Sequence, residues 1–511
     1  MKNLSKLIFY RIVLAAIAII AQIVIFFIVV TKFNNYIDFY FVLSGVLSFF
    51  VVLFIVNKNM NPEYKIAWTV PILLFPIFGW LLYFMLGGNR LSKRLKRKMN
   101  YVKEKSFDMV DSIYSNRIIS EIEQNNKDAA NQAKYILNSA YCPPYKNDFA
   151  RYFPTGEEMY ASIMEELKKA KTFIFLEFFI IAEGIMWDEI LNILKQKAKA
   201  GIDVRVIYDD MGCITTLPYN YKKTLQSFGI KCSVFNPFKP AVNSRLNNRD
   251  HRKIIVIDGK CAYTGGINIA DEYINKKVRF GYWKDGGILI KGTSVYSFTV
   301  MFLTVWDYLN NSKEKYHKYK SEENNYSGYD GYIQPYSSGP INEESVGEDV
   351  YLNLISKTKK YVYIATPYLI LDYQMQTALC LSAIQGVDIR IITPHIPDKK
   401  SVYMLTKNNY KKLIKSGIKI YEYTPGFIHS KLTVSDDIFG TVGTINFDYR
   451  SLYLHFECGV WMFDTRAVLQ IKEDFLNMFE HCRQITLKDC DDVSIWTRII
   501  RSFLRMFASL M

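Results

Sequence analysis

Three long apolar runs open the chain, and beyond residue 150 the pattern changes to short apolar strands alternating with amphipathic stretches. The first run, "IFYRIVLAAIAIIAQIVIFFIVV" (8–30), is long enough to cross a hydrocarbon core as a helix, which takes about 20 apolar residues. A second, "FYFVLSGVLSFFVVLFIV" (39–56), is close to the minimum spanning length. A third, "IAWTVPILLFPIFGWLLYFMLGG" (66–88), is broken by Pro71, Pro76 and Gly79. The first run is too long for a signal peptide, and no small-residue cleavage site follows it. The pattern therefore predicts a helical transmembrane region over 1–90 with two or three spans.

The alternating part of the chain repeats itself. "KKAKTFIFLEFFI" (168–180) matches "SKTKKYVYIATPYLI" (356–370), each a polar helix end followed by an apolar strand. "ILKQKAKAGIDVRVIYDD" (193–210) matches "LCLSAIQGVDIRIITPH" (379–395), each a helix, a capping glycine and a β-branched strand. Strands alternating with helices predict an α/β fold, and the repetition predicts two tandem units related by a pseudo-twofold axis. The expected layout is a basic helical connector over 91–150, a first domain over 151–311 and a polar linker over 312–345. A second domain over 346–490 and an amphipathic helix over 491–511 complete it.

The repeat carries chemistry. "DHRKIIVID" holds His251, Lys253 and Asp258, and "IHSKLTVSD" holds His429, Lys431 and Asp436 at the same spacing. Period-two alternation on a strand places each His and Lys on one face. Asp258, followed by Gly259, is a hairpin-turn residue and reads as a brace. Downstream, "TGGIN" and "VGTIN" supply Asn268 and Asn446, whose amides can donate to an oxyanion. Face to face, the two copies would gather two His, two Lys and two Asn: a phosphate site with no metal and no cofactor. One imidazole can attack phosphorus while the other handles the proton of the leaving and entering oxygens. Asp285, 34 residues after His251, and Glu457, 28 after His429, each precede a strand-like run in their own half. They are the candidate carboxylates for fixing the imidazole tautomers. "YDD" (208–210) lacks a partnering His or acidic cluster and reads as structural or as pocket rim.

Charge and cysteine usage narrow the class. The formal net charge of +15 calls for an anionic partner. Much of it lies in "RLSKRLKRKMNYVKEK" (90–105), eight Lys or Arg against one Glu. That run places the following domains on the cytoplasmic side and against anionic headgroups. No groove combining basic and stacking aromatic residues is evident, which argues against nucleic acid. The eight cysteines contain no C-x-x-C pair, so neither a disulfide framework nor a zinc site is expected. In "SIWTRIIRSFLRMFASLM" (494–511), Arg498, Arg501 and Arg505 share one helical face and apolar residues fill the others. This fits an interfacial membrane helix, with docking on the domain core as the rival.

The paired H-x-K-x4-D motifs with trailing G-G/T-x-N resemble the phospholipase D superfamily. Together with "VPILLFPIFGWLLYFMLGGN", "VRVIYDDMG", "NRDHRKIIVIDGK" and "NFDYRSLYLHFE", they resemble its bacterial cardiolipin synthases over nearly the whole chain. Thr444 stands where that family usually has serine, and an extra apolar span precedes the usual two. The resemblance implies two phospholipase D-like α/β sandwich domains behind a transmembrane region in the cytoplasmic membrane of a bacterium. It implies metal-free phosphatidyl transfer between two phosphatidylglycerol molecules, giving cardiolipin and glycerol. His251 would be the nucleophile and His429 the acid and base, or the reverse. Lys253, Lys431, Asn268 and Asn446 would hold the phosphate, Asp258 and Asp436 complete the motifs, and Asp285 and Glu457 orient the histidines. Lipid hydrolysis with water as acceptor, a membrane-tethered nuclease and a non-catalytic scaffold are the rival readings. Oligomeric state and acyl-chain preference stay open.

Overall fold

The computed structural model describes residues 37–58, 60–76, 112–146, 148–237, 247–321, 331–342 and 344–510, with single positions between 20 and 97. All but single positions of the expected span at 8–30 and of the basic run at 90–105, and much of 76–88, therefore lie outside the described residues. Among those described, no helix is long and apolar enough to cross a membrane. Helix α1 (Ile37–Val56) nonetheless turns Phe39, Phe41, Val42, Phe49, Phe50 and Val56 outward. Helix α2 (Pro62–Leu74) starts on an Asn61 cap with proline at its first position, carries Pro71 inside, and ends at Phe75. The described part of the proline-broken third run is thus a short helix that ends before Pro76.

Two mixed sheets follow, one for each copy of the repeat. The first half supplies β2 (Phe149–Phe153), β3 (Phe173–Phe178), β4 (Asp203–Asp209), β5 (Lys231–Phe235), β6 (Lys253–Ile257), β7 (Cys261–Gly265) and β9 (Gly287–Lys291). They form a seven-stranded sheet in the order β2-β9-β7-β6-β3-β4-β5. The second sheet has nine strands in the order β1-β10-β17-β16-β15-β11-β12-β13-β18. Its members are β1 (Tyr145–Lys146), β10 (Tyr332–Ser338), β11 (Tyr361–Ala365), β12 (Asp388–Pro394), β13 (Lys419–Tyr423), β15 (Leu432–Ser435), β16 (Phe439–Gly443), β17 (Glu457–Phe463) and β18 (Cys482–Ile485). Strands β3–β5 and β11–β13 run parallel, as helix-connected units must, and the motif hairpins β6–β7 and β15–β16 run antiparallel.

Alternation along the strands sorts the core. Ile174, Leu176, Ile255, Ile257 and Tyr263 face outward from the first sheet and pack with helices α5 (Gly156–Lys169) and α6 (Ile185–Lys199). Phe173, Phe175, Ile254, Val256 and Ala262 face inward and share one continuous core with the second half.

Two expected boundaries move. The connector over 91–150 is not a separate piece in its described part. The hairpin of α3 (Ser112–Asn125) and α4 (Lys127–Ala140) packs into the second-half core, and β1 pairs with β10 at the edge of the larger sheet. The linker over 312–345 contains β10, which pairs with β17 along its whole length. Its pattern was masked by the polar stretch before it, part of which (322–330) lies outside the described residues.

The amphipathic C-terminal helix α12 (Ile495–Met506) has no buried residue. It follows α7 (Val295–Asn310), α8 (Val346–Lys357), α9 (Tyr373–Ile384), α10 (Lys400–Lys415) and α11 (Arg466–Glu480) in the chain. Its flank carrying Thr497, Arg501 and Leu504 is half-buried, on the side of α10. Ile495, Trp496, Ile499, Ile500 and Phe503 point into solvent. The short turn after it reaches α2, where the Ser509 hydroxyl donates to the Glu63 carbonyl.

Candidate active site

The two motif histidines stand just before their strands, at the seam between the halves. Strand β6 begins at Lys253 and β15 at Leu432, so neither histidine is a ladder residue as the alternation suggested. Each instead hangs on a backbone bond across the seam. His251 N–H donates to the Phe456 carbonyl (2.8 Å), and His429 N–H to the Lys284 carbonyl (2.7 Å). These bonds extend short parallel pairings: Asp250 with Phe456, and β14 (Gly426–Ile428) with β8 (Tyr282–Lys284).

The carboxylates come from the opposite halves. The residue after each accepting carbonyl is an acid, and its side chain meets the imidazole held there. Glu457 lies 2.9 and 3.0 Å from His251 Nδ1, and Asp285 lies 2.7 Å from His429 Nδ1. The sequence pointed to both acids but not to which histidine each one serves. The pairing is swapped, because the seam brings each acid beside the other copy's motif. Both acids are fully buried and both histidines nearly so. With Nδ1 bound to a carboxylate, each imidazole is left with Nε2 for chemistry.

Small differences between the halves support the two acids differently. Thr444 donates to Glu457 Oε2. Its counterpart Gly266 has no side chain, and a Cβ there would lie 2.0 Å from Asp285 Oδ1.

Lys253 donates to the carbonyl of His251 (2.6 Å) and Lys431 to that of His429, so both ammonium groups are fixed beside the rings. Burial dominates the protonation of all four groups. It holds His251 well below the ordinary imidazole value, with Lys253 and Lys431 adding to the effect. It pushes His429 down to about 4, helped by Lys431 and opposed by Asp285. Lys253 is brought to about 8 and Lys431 to about 7, again by burial, with the acids opposing. These surroundings thus favour neutral imidazoles and readily titrated lysines, a pattern associated with reactive sites.

The remaining sequence candidates fall into two groups. Asn268 and Asn446 are buried near the seam, and each amide nitrogen makes one bond and keeps a second N–H. Asn268 accepts from Ile180 N–H and donates to Tyr273, and Asn446 donates to Ser451. Asp258 and Asp436 sit in left-handed conformation at the hairpin loops on the far ends of their strands. Asp258 accepts from the backbone N–H groups of Lys171, Thr172 and Phe173, and Asp436 from those of Lys359, Lys360 and Tyr361. They tie hairpin to neighbouring strand and do not touch the reacting groups. In "YDD", Asp209 is buried, pairs with Arg249 at 3.3 Å and accepts from Asp250 N–H, which braces the segment leading to His251.

One residue of the seam was not singled out from sequence. His455 packs against His251 with ring centres 5.7 Å apart, and its Nδ1 is 3.8 Å from Glu457 Oε1. Aligning "YWKDGG" (282–287) with "LHFECG" (454–459) would have flagged it, since it occupies the position of Trp283. Among the described residues, His251, His455 and Glu457 are the group that could hold a metal, their ligand atoms lying within 4.8 Å of one another. Tetrahedral zinc ligands stand roughly 3.3 Å apart, and Glu457 is already bonded to His251. As arranged, the trio suits a hydrogen-bonded acid–imidazole pair better than a metal.

A family model described as "Cardiolipin synthase, PLD-like domain" matches residues 163–278 and 351–479. Another, "Phospholipase_D-nuclease N-terminal", matches 46–88. A cardiolipin synthase of Alkalihalophilus pseudofirmus is 32% identical over 468 residues, covering 90% of this chain and 92% of that one. The chain belongs to the cardiolipin synthase family. A cardiolipin synthase of Halalkalibacterium halodurans is 31% identical, covering 92% of this chain and 93% of its own. An uncharacterized protein of Streptococcus mutans is 44% identical over 90% of this chain and 99% of its own. Among solved structures, a phosphatidylserine synthase of Haemophilus influenzae superposes with a TM-score of 0.57 at 16% identity. It covers 75% of this chain and 98% of that one, a likeness of fold.

Proposed function

We propose that the protein is a cardiolipin synthase that moves a phosphatidyl group from one phosphatidylglycerol to another and releases glycerol. The observation that carries the reading is the swapped pair: two imidazoles, each held through Nδ1 by a buried acid of the other half, beside two buried lysines. In the first half-reaction, unprotonated Nε2 of His251 attacks phosphorus. The P–O bond to the headgroup glycerol breaks, and the imidazolium of His429 gives its proton to the leaving oxygen. In the second, a hydroxyl of another phosphatidylglycerol loses its proton to His429 and attacks phosphorus. The P–N bond to His251 breaks, and both rings return to their starting states.

His429 must carry a proton at the first step, although burial and Lys431 favour its neutral form. A phosphodiester between Lys253 and Lys431 offsets their charge, so substrate raises the proton affinity of the ring, and Asp285 stabilises the cation. Burial keeps the His251 ring unprotonated, as a nucleophile must be.

Both substrates are lipids, and the molecule has surfaces that suit a bilayer. The outward apolar residues of α1 and the Trp496–Phe503 face of α12 would bury in lipid, while Arg498 and Arg505 meet anionic headgroups. These surfaces support attachment to the bacterial cytoplasmic membrane, and the basic run at 90–105 favours its cytoplasmic side for the two domains.

The test is product analysis with phosphatidylglycerol vesicles. Cardiolipin and glycerol in equal amounts are expected, and phosphatidic acid as the sole lipid product would replace transfer with hydrolysis. Quenched reactions should yield a phosphatidyl group on His251. Finding it on His429 would reverse the two roles.

A further inference from the structure

A cavity of about 720 Å³ lies where the first two helices meet the second half, apart from the seam. Its wall includes Lys58 and Asn61 from the turn between α1 and α2, and Glu348 and Asp349 from α8. Tyr449 and Tyr453, from the segment that leads to Phe456, complete one side. The motif histidines, the motif lysines and their acids do not line it. With Glu344 the wall carries three acids, and Lys58 is the one cation among its described residues. That lysine donates to the Tyr83 hydroxyl.

Glu348 is left short of a partner. It is 3% exposed, and its Oε1 has no hydrogen-bond donor among the described residues. Its neighbour Asp372 collects the donors instead. Asp372 Oδ1 accepts from Met375 N–H (2.9 Å), and Oδ2 accepts from the Tyr453 hydroxyl (2.6 Å) and the Asn61 amide (3.1 Å). Tyr453 has a single proton to give, and Asp372 takes it. Two buried acids side by side call for a positive charge between them, either a proton or a bound cation. Burial and Asp372 push the proton affinity of Glu348 up to about 9, so a proton fills that place until a cation displaces it to solvent. The acids here do not have the spacing of metal ligands, which among the described residues occurs only at the seam. An organic cation fits better. The rings of Tyr449 and Tyr453 stand 5.9 Å apart at 30°, and aromatic faces attract ammonium groups.

We propose that this cavity is a binding site for an organic ammonium group, with Glu348 as its counter-ion and Tyr449 and Tyr453 as its aromatic wall. The inference stands independently of the transfer reading. Two sources carry such a group: an aminophospholipid headgroup and a soluble polyamine. The structure favours the lipid. Helix α1 turns apolar residues outward as far as Val56, two residues before Lys58, so a lipid lying along it brings its headgroup to the cavity.

Calorimetric titration of the full-length protein in detergent micelles tests this. The ligands are dihexanoyl phosphatidylethanolamine, its N-acetyl derivative, which lacks the cation, and spermidine. Phosphatidylethanolamine should bind at least tenfold more tightly than the N-acetyl form, as expected for a charge-assisted hydrogen bond. Glu348→Gln should remove that difference. Ser345→Trp, on the cavity wall at a position that makes no side-chain cap bond to α8, should do the same by filling the space. It carries the test if the Gln variant fails to fold. Spermidine binding that both variants abolish, with no preference for phosphatidylethanolamine, would support the ammonium site and make its ligand soluble. Equal affinity for the two lipids without spermidine binding, or amine binding unchanged in both variants, overturns the proposal.

Discussion

Replacing Asp285 with asparagine keeps the shape of the side chain and removes its charge, which isolates what the carboxylate does for His429. Asp285 Oδ1 accepts from Gly286 N–H at 2.9 Å, and Oδ2 lies 2.7 Å from His429 Nδ1. In the variant the Gly286 N–H still requires an acceptor, so the amide oxygen stays there and the NH2 group turns to His429. That forces the ring proton onto Nε2, and a neutral ring protonated there cannot take the proton of an entering hydroxyl. The cationic ring also loses its partner. With charge centres about 4 Å apart and an effective dielectric near 20, the attraction amounts to about 4 kcal/mol. Retaining roughly a quarter of that through the amide dipole leaves a loss of about 3 kcal/mol, or ~10²-fold in rate. Turnover on phosphatidylglycerol vesicles should therefore fall about a hundredfold or more, with an unchanged far-ultraviolet spectrum and thermal midpoint. A turnover within tenfold of wild type would refute the claim that Asp285 sets the tautomer and charge of His429.

Other outcomes follow from the same seam and from the lipid-facing helix. Lys253 and Lys431, brought to about 8 and 7 by burial, lose charge as pH rises through that range. Affinity for short-chain phosphatidylglycerol should then weaken between pH 7 and 9, by up to about tenfold per unit for each lysine that must be charged. Calorimetry in buffers of differing ionisation enthalpy should show proton uptake, and binding independent of pH and buffer would contradict this. Gly266→Ala should mimic Asp285→Asn, since the new carbon would fall 2.0 Å from Asp285 Oδ1, and wild-type turnover in that variant would show that the acid has room to move. Arg498→Glu with Arg505→Glu should weaken sedimentation with phosphatidylglycerol vesicles by about 1 kcal/mol per cation removed. Equal binding to neutral and anionic vesicles by the wild type would count against charge-guided docking.

Much of this arrangement was legible in the sequence because the repeat is strict. Two H-x-K motifs at equal spacing, each followed by a turn acid and a small-residue segment, announce paired hairpins and a shared pocket. What spacing cannot convey is which half answers which. The distance of Asp285 from His251 along the chain says nothing about the cross-seam bond that places it on His429. The bracing role of Asp258 was readable from its glycine neighbour, whereas the engagement of Asn268 with Ile180 and Tyr273 depends on tertiary packing. Strand β10 escaped notice because Pro335 and a run of small polar residues disguise its pattern, although six of its seven residues are buried. Helix α12 was recognised as amphipathic, but the periodicity alone left open which face meets the body. The structure turns the Arg501 flank inward and Trp496 outward.

The exchange of acids across the seam also bears on ancestry and on failure. A protein with a single copy of the repeat would have owned a histidine without its carboxylate, and only a head-to-head couple of identical chains would have completed either one. Fusion of two such chains makes permanent what was once a matter of concentration. It also removes any half-working state. A lesion that parts the halves by a few tenths of a nanometre strips both rings of their orienting acids at once, so loss of function at this seam should be abrupt even where each sheet remains folded.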